Sequence, residues 1–568
     1  MKPVIPNGVR EVRNLSFSWV TQRVPQVRFV NLGLGLAFTV HFSTFPLFHC
    51  STLFRLSYFP LSIFASLRAL RVSVANPLRT RATIAQMDFS LSDHHLLIRD
   101  TVREFMHTEV RPHVKDWERT DHFPLDAIKK LGALGCCGML LPEEWGGPGL
   151  DTLSYVLMLE EVAKVHAAMA TAISVTNSAV QTPLLVYATG EQKSRYLRRL
   201  ASGEILGAFC LTEPAAGSDA AGIQSSATPV AQGESASPAA VSSASKDCHP
   251  ERSEGSALPL DPPSPQTRHS ERSEDRRPIA RSLRDESLLS SGAPSFAPSA
   301  KGGSSLDSST RHSPPATRHY LLNGTKTWVT NGSHAGLYLV FAKTDPAAGG
   351  KGITAFLLEP NTPGLKIGRH EDKMGQRSSP SVEILLDNCV VPASARLGEE
   401  GQGLKIALSA LDNGRIGIAA LSVGLAQGAL DESVKYARAR CAFGKSIGEF
   451  QAIQWMLADM HTELEAARAL VYQAAFLKDR RSNGTKGQPA RRSLGEGGSA
   501  SSRAKLYASE MANRVVAKAV QIHGSLGYSR ESDIERMYRD ARVLTIYEGT
   551  SEIQRTIIAR DLLSKSLL

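Results

Sequence analysis

Ile546-Tyr547-Glu548-Gly549-Thr550-Ser551-Glu552-Ile553-Gln554-Arg555 places a single carboxylate, twenty residues from the C-terminal Leu568, at the mouth of a predicted helix. Thr550 or Ser551 is suited to cap the apolar run Ile553, Ile557, Ile558 and Leu562, because a side-chain oxygen there accepts from the first free N–H groups. Glu548 then falls just outside the helix start, on a short Gly-containing segment that can be pressed against a ligand. A Glu before a Gly is, taken alone, an ordinary solvated loop residue. Its weight depends on what the rest of the chain supplies.

At 568 residues the chain exceeds single-domain size and can bury several cores. Apolar residues at 42% and charged residues at 21% are the proportions of a soluble globular protein. The formal charge of +10 is uneven: residues 1–87 hold ten Lys/Arg against one acid, Glu11, and the remainder is close to neutral. The basicity belongs to the N-terminal stretch, which weakens a nucleic-acid reading. Seven cysteines (50, 136, 137, 210, 248, 389 and 441) form no C-x-x-C and no paired His spacing, so no zinc site is expected, and they read as buried thiols of a reduced, cytosol-type chain.

Residues 1–87 are Arg-, Phe- and Leu-rich and nearly acid-free. A start at Met87 is the first reading, a mitochondrial targeting segment the second, and a membrane anchor over Phe29–Phe48, broken by His41 and Pro46, the last. From Ser92-Asp93 helical spacing begins, and residues 88–204 read as a helical domain with helices over Leu125–Leu134, Leu153–Val165, Ala167–Ala188 and Glu191–Ala201. Short apolar and β-branched runs follow: Ile205–Leu211, Tyr320–Thr330, Leu337–Lys343, Ile353–Glu359 and Val382–Leu386. Asn323-Gly324 reads as a hairpin signal among them. Residues 205–400 are therefore expected to form a middle β domain. Helices resume over 401–568 at Leu404–Arg440, Phe450–Lys478, Ala504–His523 and Ser551–Ser566, with Leu411, Ile418, Leu421 and Leu425 on one face suited to a bundle. Residues 225–318 are Ser-, Pro- and Arg-rich, and His249-Pro250-Glu251-Arg252-Ser253-Glu254 returns as His269-Ser270-Glu271-Arg272-Ser273-Glu274. That composition cannot bury enough apolar area to offset ordering entropy, so a disordered insert is expected there, and a smaller one over 483–502.

Five further strings stand out. Phe209-Cys210-Leu211-Thr212-Glu213-Pro214-Ala215-Ala216-Gly217-Ser218-Asp219 ends a strand with hydroxyls and backbone N–H groups free to donate. Lys326-Thr327-Trp328-Val329-Thr330-Asn331-Gly332 puts an aromatic and a hydroxyl two residues apart, same-face neighbours on a regular strand. Arg440-Cys441-Ala442-Phe443-Gly444-Lys445 and Gln521-Ile522-His523-Gly524-Ser525-Leu526-Gly527-Tyr528 each follow or close a predicted helix. Leu411-Asp412-Asn413-Gly414-Arg415 lies within a long one. A lone Arg at a helix end is ordinarily a cap charge, and a Trp on a strand is ordinarily core.

In register, these strings and Tyr547-Glu548-Gly549-Thr550 resemble the acyl-CoA dehydrogenase family, most closely its short-chain and short-branched-chain members, over roughly 88–224, 319–482 and 503–566. The resemblance implies an α+β multidomain fold: an N-terminal helical domain, a middle β-barrel-like domain and a C-terminal helical bundle. It implies FAD as cofactor, with Phe209, Leu211 and Thr212 along the isoalloxazine, Trp328 packed on it and Thr330 donating to N5. Arg440 and Phe443 would reach a neighbouring subunit's FAD, and Gln521 and Gly524 its adenosine side, although Ser525 replaces the usual second Gly; Thr550 also falls to the cofactor. Ser218, Asp412, Arg415, Tyr547 and Gly549 would contact the acyl-CoA. Glu548 would be the base that removes the substrate α-proton while the β-hydrogen passes as hydride to flavin N5, giving a trans-2-enoyl-CoA. Some branches carry the base at the position of Gly414, which has no side chain here. An electron-transferring flavoprotein is the implied acceptor, a homotetramer or homodimer the implied assembly, and the cytoplasm the implied location (the mitochondrial matrix if residues 1–86 are a presequence). No metal, nucleic acid or membrane is expected. Two other functions fit the same strings: an acyl-CoA oxidase, and the DNA-binding alkylation-response branch, which the near-neutral charge of 88–568 disfavours. No Walker A, H-E-x-x-H or G-x-S-x-G string occurs, and Gly33-Leu34-Gly35-Leu36-Ala37-Phe38 fails G-x-G-x-x-G at its last position.

Overall fold

In the computed structural model, residues 91–230, 319–483 and 499–564 are described. The expectations for residues 1–87 fall outside them, as do those for 231–318 and 484–498. Helix α1 (Asp93–Phe105) starts where the sequence says, with Ser92 Oγ accepting from the His95 N–H at 3.4 Å. After a π-helical turn (Met106–Val110) come α2 (Val114–Thr120), α3 (Leu125–Ala133) and α4 (Thr152–Val165), the last capped by Asp151, whose carboxylate accepts from Ser154 N at 2.8 Å. The single helix expected over 167–188 is instead α5 (Ala167–Ser174), a π-helical segment Val175–Gln181, and α6 (Thr182–Tyr187). The widened turn gives Thr176 Oγ1 to the Gly207 N–H at 3.2 Å, a bond into the sheet that a regular helix face would not supply. Helix α7 (Gly190–Ala201) follows, with a capping box between Thr189 and Gln192.

The middle region is one eight-stranded sheet: β1 (Leu206–Cys210), β2 (Ser226–Val230), β3 (His319–Thr330), β4 (Ala335–Lys343), β5 (Ile353–Leu358), β6 (Leu365–His370), β7 (Ser381–Pro392) and β8 (Arg396–Leu397). Its order is β6-β7-β3-β2-β4-β5-β8, with β1 parallel to β4. Strand β4 shows why it is buried on both faces. Leu337, Leu339 and Phe341 join one core with Val180, Leu184 and Leu197. Tyr338, Val340 and Ala342 join another with Phe356, Val382 and Ile384. Two expectations are corrected here. Residues 226–230, placed in the disordered insert, form β2, with Val230 paired to His319 and Ser226 to Asn323. Asn323-Gly324 is no hairpin turn: β3 runs through it with a register shift against β7, and Gly324 takes φ 144° with Ser225 packed where a Cβ would stand.

The C-terminal helices are α8 (Gly403–Ala439), α9 (Gln451–Asn483), α10 (Ala500–His523), α11 (Asp533–Arg542) and α12 (Ser551–Leu563), with a two-residue ribbon β9 (Cys441–Ala442) and β10 (Lys445–Ser446) after α8. Asn483 and 500–502 are thus helical, against the second expected insert, and Ser499, Ser501 and Ser502 are buried. Helix α8 is long and apolar enough to cross a membrane, yet most of it is core, shared with α1, α4, α5, α9, α10 and α11. Its close contact with α4 needs a residue without a side chain: a Cβ on Gly424 would lie 2.2 Å from the Glu160 carbonyl oxygen. Cys136, Cys137, Cys210 and Cys389 are buried as expected, but Cys441 on the ribbon is exposed.

Candidate active site

Thr550 caps α12, its Oγ1 accepting from the Ile553 N–H at 3.4 Å. The two residues before it take left-handed backbone, Glu548 at φ 54° and Gly549 at φ 86°. For glycine that conformation is easy; for glutamate it is strained, and strain of this kind persists only where surroundings fix it. Here Gln554, one turn into α12, donates through Nε2 to the carbonyls of Glu548 (3.2 Å) and Gly549 (2.9 Å). Lys505 of α10 donates to the Gly549 carbonyl at 2.8 Å. The result aims the Glu548 carboxylate at α8, where a Cβ on Gly414 would stand 2.3 Å from Glu548 Oε2. Oε2 is buried and, among the described residues, has no hydrogen-bond partner. Burial pushes the Glu548 carboxyl up to about 7, against the opposing charges of Arg415 and Lys505. A carboxylate so placed is a base near neutral pH.

Its neighbours tie α12 to three other elements. The Tyr547 hydroxyl bonds Thr171 Oγ1 of α5 (3.2 Å) and accepts from Gln376 Nε2 (3.4 Å), and burial holds this phenol well above its ordinary value. Gln376, itself at φ 48°, is fixed through its backbone N–H by the buried Asp540 carboxylate of α11. On α8, Arg415 is buried beside Asp412 (3.2 Å), which also accepts from Ser501 Oγ of α10 at 2.7 Å.

The sheet supplies the facing part. β1 ends at Cys210, and Leu211-Thr212 continue it, with Thr212 O accepting from Thr327 N at 2.9 Å. Below them lies a buried ion pair, Lys326 Nζ to Glu213 Oε1 at 2.6 Å, and the Glu213 carboxylate also accepts from the backbone of Gln224 and Ser225. Although burial opposes it, the Lys326 charge and these donors hold Glu213 below its ordinary value. Trp328 does not continue a regular strand. A register shift between Lys326 and Val329 leaves it at φ 58° with 57% of its surface exposed, while Lys326, Thr327 and Val329 on either side are buried. The expected two-residue alternation with Thr330 is therefore broken at Trp328. Asn331, fully buried, then donates to the carbonyls of Ala172 (3.0 Å) and Gly207 (3.1 Å), which seats the strand end beside Thr171 and so beside Tyr547.

The structure thus gathers Glu548, Tyr547, Gly549, Thr550, Asp412 and Arg415 around the start of α12, and links Leu211, Thr212, Trp328 and Thr330 to them through Asn331 and Thr171. Phe209 on β1 is half-buried against Phe341, ring centroids 5.1 Å apart. Ser218 sits on an exposed loop without a side-chain bond to this cluster. Arg440, Phe443, Gln521 and Gly524 are elsewhere. Twenty-six residues of helix separate Gly414 from Arg440, about 39 Å at 1.5 Å per residue. That far end is joined to α10 by the stacked rings of Tyr436 and His523, centroids 4.4 Å apart. There Phe443 and Gly444 form the ribbon's turn with φ 52° and 78°, and the Phe443 side chain is 96% exposed. Lys505, Gln554, Gln376 and Glu213 were not singled out from sequence. Lys505 had a signal: it shares a helical face with Ala508, Ala512, Val516 and Ala519, where a lysine is out of place.

Three family models match the chain: acyl-CoA dehydrogenase N-terminal domain over residues 92–204, middle domain over 299–389 and C-terminal domain over 401–563. An acyl-CoA dehydrogenase of Bacillus subtilis is 36% identical over 473 residues, 83% of this chain and 99% of that one. The chain belongs to the acyl-CoA dehydrogenase family. Another relative, the caffeyl-CoA reductase-Etf complex subunit CarC of Acetobacterium woodii, is 36% identical over 475 residues, 84% of this chain and 99% of its own. The butyryl-CoA dehydrogenase structure from Megasphaera elsdenii superposes with a TM-score of 0.65 at 35% identity, covering 84% of this chain and 100% of that one.

Acyl-CoA dehydrogenases are oxidoreductases, and FAD is the family's cofactor. The residues present fit it. Trp328 presents an exposed indole from a strained bulge, a double cost that a flat aromatic ring laid over it would offset. A Cβ at Gly217 or Gly524 would meet nothing within 4 Å, so both backbones are open to close approach. Leu211, Thr212, Trp328 and Thr330 would hold the flavin ring, while Arg440 and Phe443 follow the far end of α8 and Gln521 and Gly524 stand at the C-terminal end of α10, away from Gly414.

Proposed function

We propose that this acyl-CoA dehydrogenase desaturates an acyl-CoA thioester between Cα and Cβ, with Glu548 removing the α-proton. The observation that carries the reading is the Glu548 carboxylate itself: strained, aimed at the bare backbone of Gly414, unpartnered at Oε2 and poised near 7. Its own backbone N–H is available to the thioester carbonyl, where it would stabilise charge developing as the proton leaves. Bound FAD supplies the acceptor for the β-hydrogen. Thr171 and Gln376 fix Tyr547, the residue before the base, and Gln554 and Lys505 the residue after it, so that little reorganisation is left to the moment of reaction. Asp412 and Arg415 are the reading for the CoA side and Ser218 for the pantetheine side. The Etf-complex relative supports an electron-transferring flavoprotein as the acceptor of the electrons, and the bacterial relatives support a soluble cytoplasmic enzyme. A second copy of the chain, in a dimer or tetramer, would account for the cofactor residues at the far end of α8.

Glu548→Gln keeps shape and removes the base. The variant should bind FAD and stay yellow, yet its flavin should bleach with butyryl-CoA at less than about a hundredth of the normal rate, the range of a positioned base. Faster bleaching in stopped flow would remove Glu548 from the chemistry.

A further inference from the structure

We propose that Lys505 is a positioning residue for the base: its ammonium fixes the Gly549 carbonyl and acts as the counter-charge that keeps the Glu548 carboxylate ionised in a dry site. This rests on Glu548 being the base.

The placement is costly and specific. Lys505 is fully buried on the face of α10 otherwise lined by Ala508, Ala512 and Val516. A buried ammonium needs three acceptors, and among the described residues its Nζ has one, the Gly549 carbonyl at 2.8 Å. No carboxylate within 4 Å of Nζ forms an ion pair with it among those residues. Burial accordingly lowers Lys505 to about 8, and the charge that most opposes this is Glu548, followed after the repulsion of Arg415 by Glu552 and Glu510. A methionine would pack here more cheaply. What the ammonium adds is a bond to the residue after the base and a positive charge facing it.

The groups facing this pair come from every side. Arg415 of α8 and Lys505 of α10 favour the charged carboxylate. Tyr155 of α4 and Tyr547 are neutral phenols, both raised by burial. Glu510 and Glu552 lie on the Lys505 side. Arg415 is also held by Asp412, which divides its influence; among the described residues Lys505 is in an ion pair with no carboxylate, and Glu552 and Glu510 act on it less than Glu548 does. When the substrate proton arrives, Glu548 becomes neutral and the field of Lys505 is no longer opposed, so the ammonium favours return of the base to its charged form after each turnover.

The test is the pH profile of kcat/KM with butyryl-CoA and a dye acceptor in the FAD-loaded enzyme, beside FAD content and melting temperature. Below its pKa the base is protonated and inactive, and removing a nearby positive charge raises that pKa. Lys505→Met should therefore move the acid limb upward by about one unit, a roughly tenfold loss at a pH well below the limb that is largely recovered above it. Lys505→Arg should hold the limb near the wild-type position. Lys505→Gln, which keeps a donor but not the charge, should shift it as the Met variant does. An unmoved limb in folded, FAD-loaded Lys505→Met or Lys505→Gln overturns the proposal. So does failure of both neutral variants to load FAD, since Lys505 would then be a support of the fold alone. Glu548→Gln is scored separately: if it is active, the base assignment falls, whereas an inactive Glu548→Gln with an unmoved limb in Lys505→Met sinks only the role of Lys505.

Discussion

Glu548 is held where two penalties coincide, a left-handed backbone that side-chain-bearing residues avoid and a carboxyl raised to about 7 by burial. A carboxyl held in this way costs stability, and the cost has a pH signature. The folded carboxyl keeps its proton to about 7, while in the unfolded chain it releases it near its ordinary value of 4.5. The group therefore favours the fold below about pH 4.5, and that contribution is lost as pH rises through the window to about 7. Glutamine at 548 does not ionise and escapes the loss. Glu548→Gln should gain on wild type across this window, by roughly 1–2 kcal/mol at pH 8 after allowing for the residue's partial exposure. Paired urea melts at pH 4.5 and 8 would measure it, and parallel curves would show that the carboxyl is not desolvated. Trp328 is a second residue of this type: its strain is visible only in three dimensions, since the sequence alternates there as a plain strand would.

Helices α4, α5 and α8 meet at Gly417, one turn along α8 from the Gly414 that faces Glu548. A Cβ on Gly417 would stand 2.5 Å from Ser174 Oγ and 2.9 Å from the Tyr155 hydroxyl, which bond each other at 3.1 Å. The step from Gly414 to Gly417 is about 4.5 Å along the axis, the reach of a few methylenes. An acyl chain running from Glu548 towards Gly417 would meet these groups early, so the best substrate should be short, roughly butyryl to hexanoyl. A chain-length series of kcat/KM checks this, and a maximum at dodecanoyl or longer would refute it. How far such packing was legible differs by element. α1 and α12 could be read because Ser92 and Thr550 sit where caps must, and β4 because its apolar residues serve two cores. The Tyr547-Glu548-Gly549-Thr550 string pointed to the carboxylate that the structure packs against Gly414. The π-helical segment was not legible, since its extra residue leaves the apolar pattern continuous. β2 was hidden because Ser226–Val230 is polar at its edge and merges with the Ser-rich sequence beyond. Lys505 was passed over for a related reason, standing at the border of a low-complexity stretch that turned out to end sooner.

Across the whole molecule, the proposed reading separates Glu548, beside Gly414, from Arg440 by twenty-six helical steps of α8, about 39 Å. The sheet is seated on the helices by the apolar core that β4 shares with Val180 and Leu184, and by the bonds of Asn331 and Thr176. Within the middle region, the backbone N–H groups of Gln224 and Ser225 donate to the Glu213 carboxylate, next to Thr212. Excision of 231–318 with a short turn in its place should leave FAD content intact and raise the melting temperature, because closing a shorter loop saves on the order of 2–3 kcal/mol of chain entropy. Excision of 225–318 should lower both, since it removes β2 and one of the two backbone donors to Glu213. Equal behaviour of the two deletions, read by flavin absorbance and thermal melts, would show that β2 adds nothing. The pairing of Val230 with His319 puts the residues on either side of 231–318 beside each other. Sequence added or removed between strands that are already neighbours separates none of their hydrogen-bonded partners. The same junction is a natural port for grafting a reporter domain whose termini lie side by side.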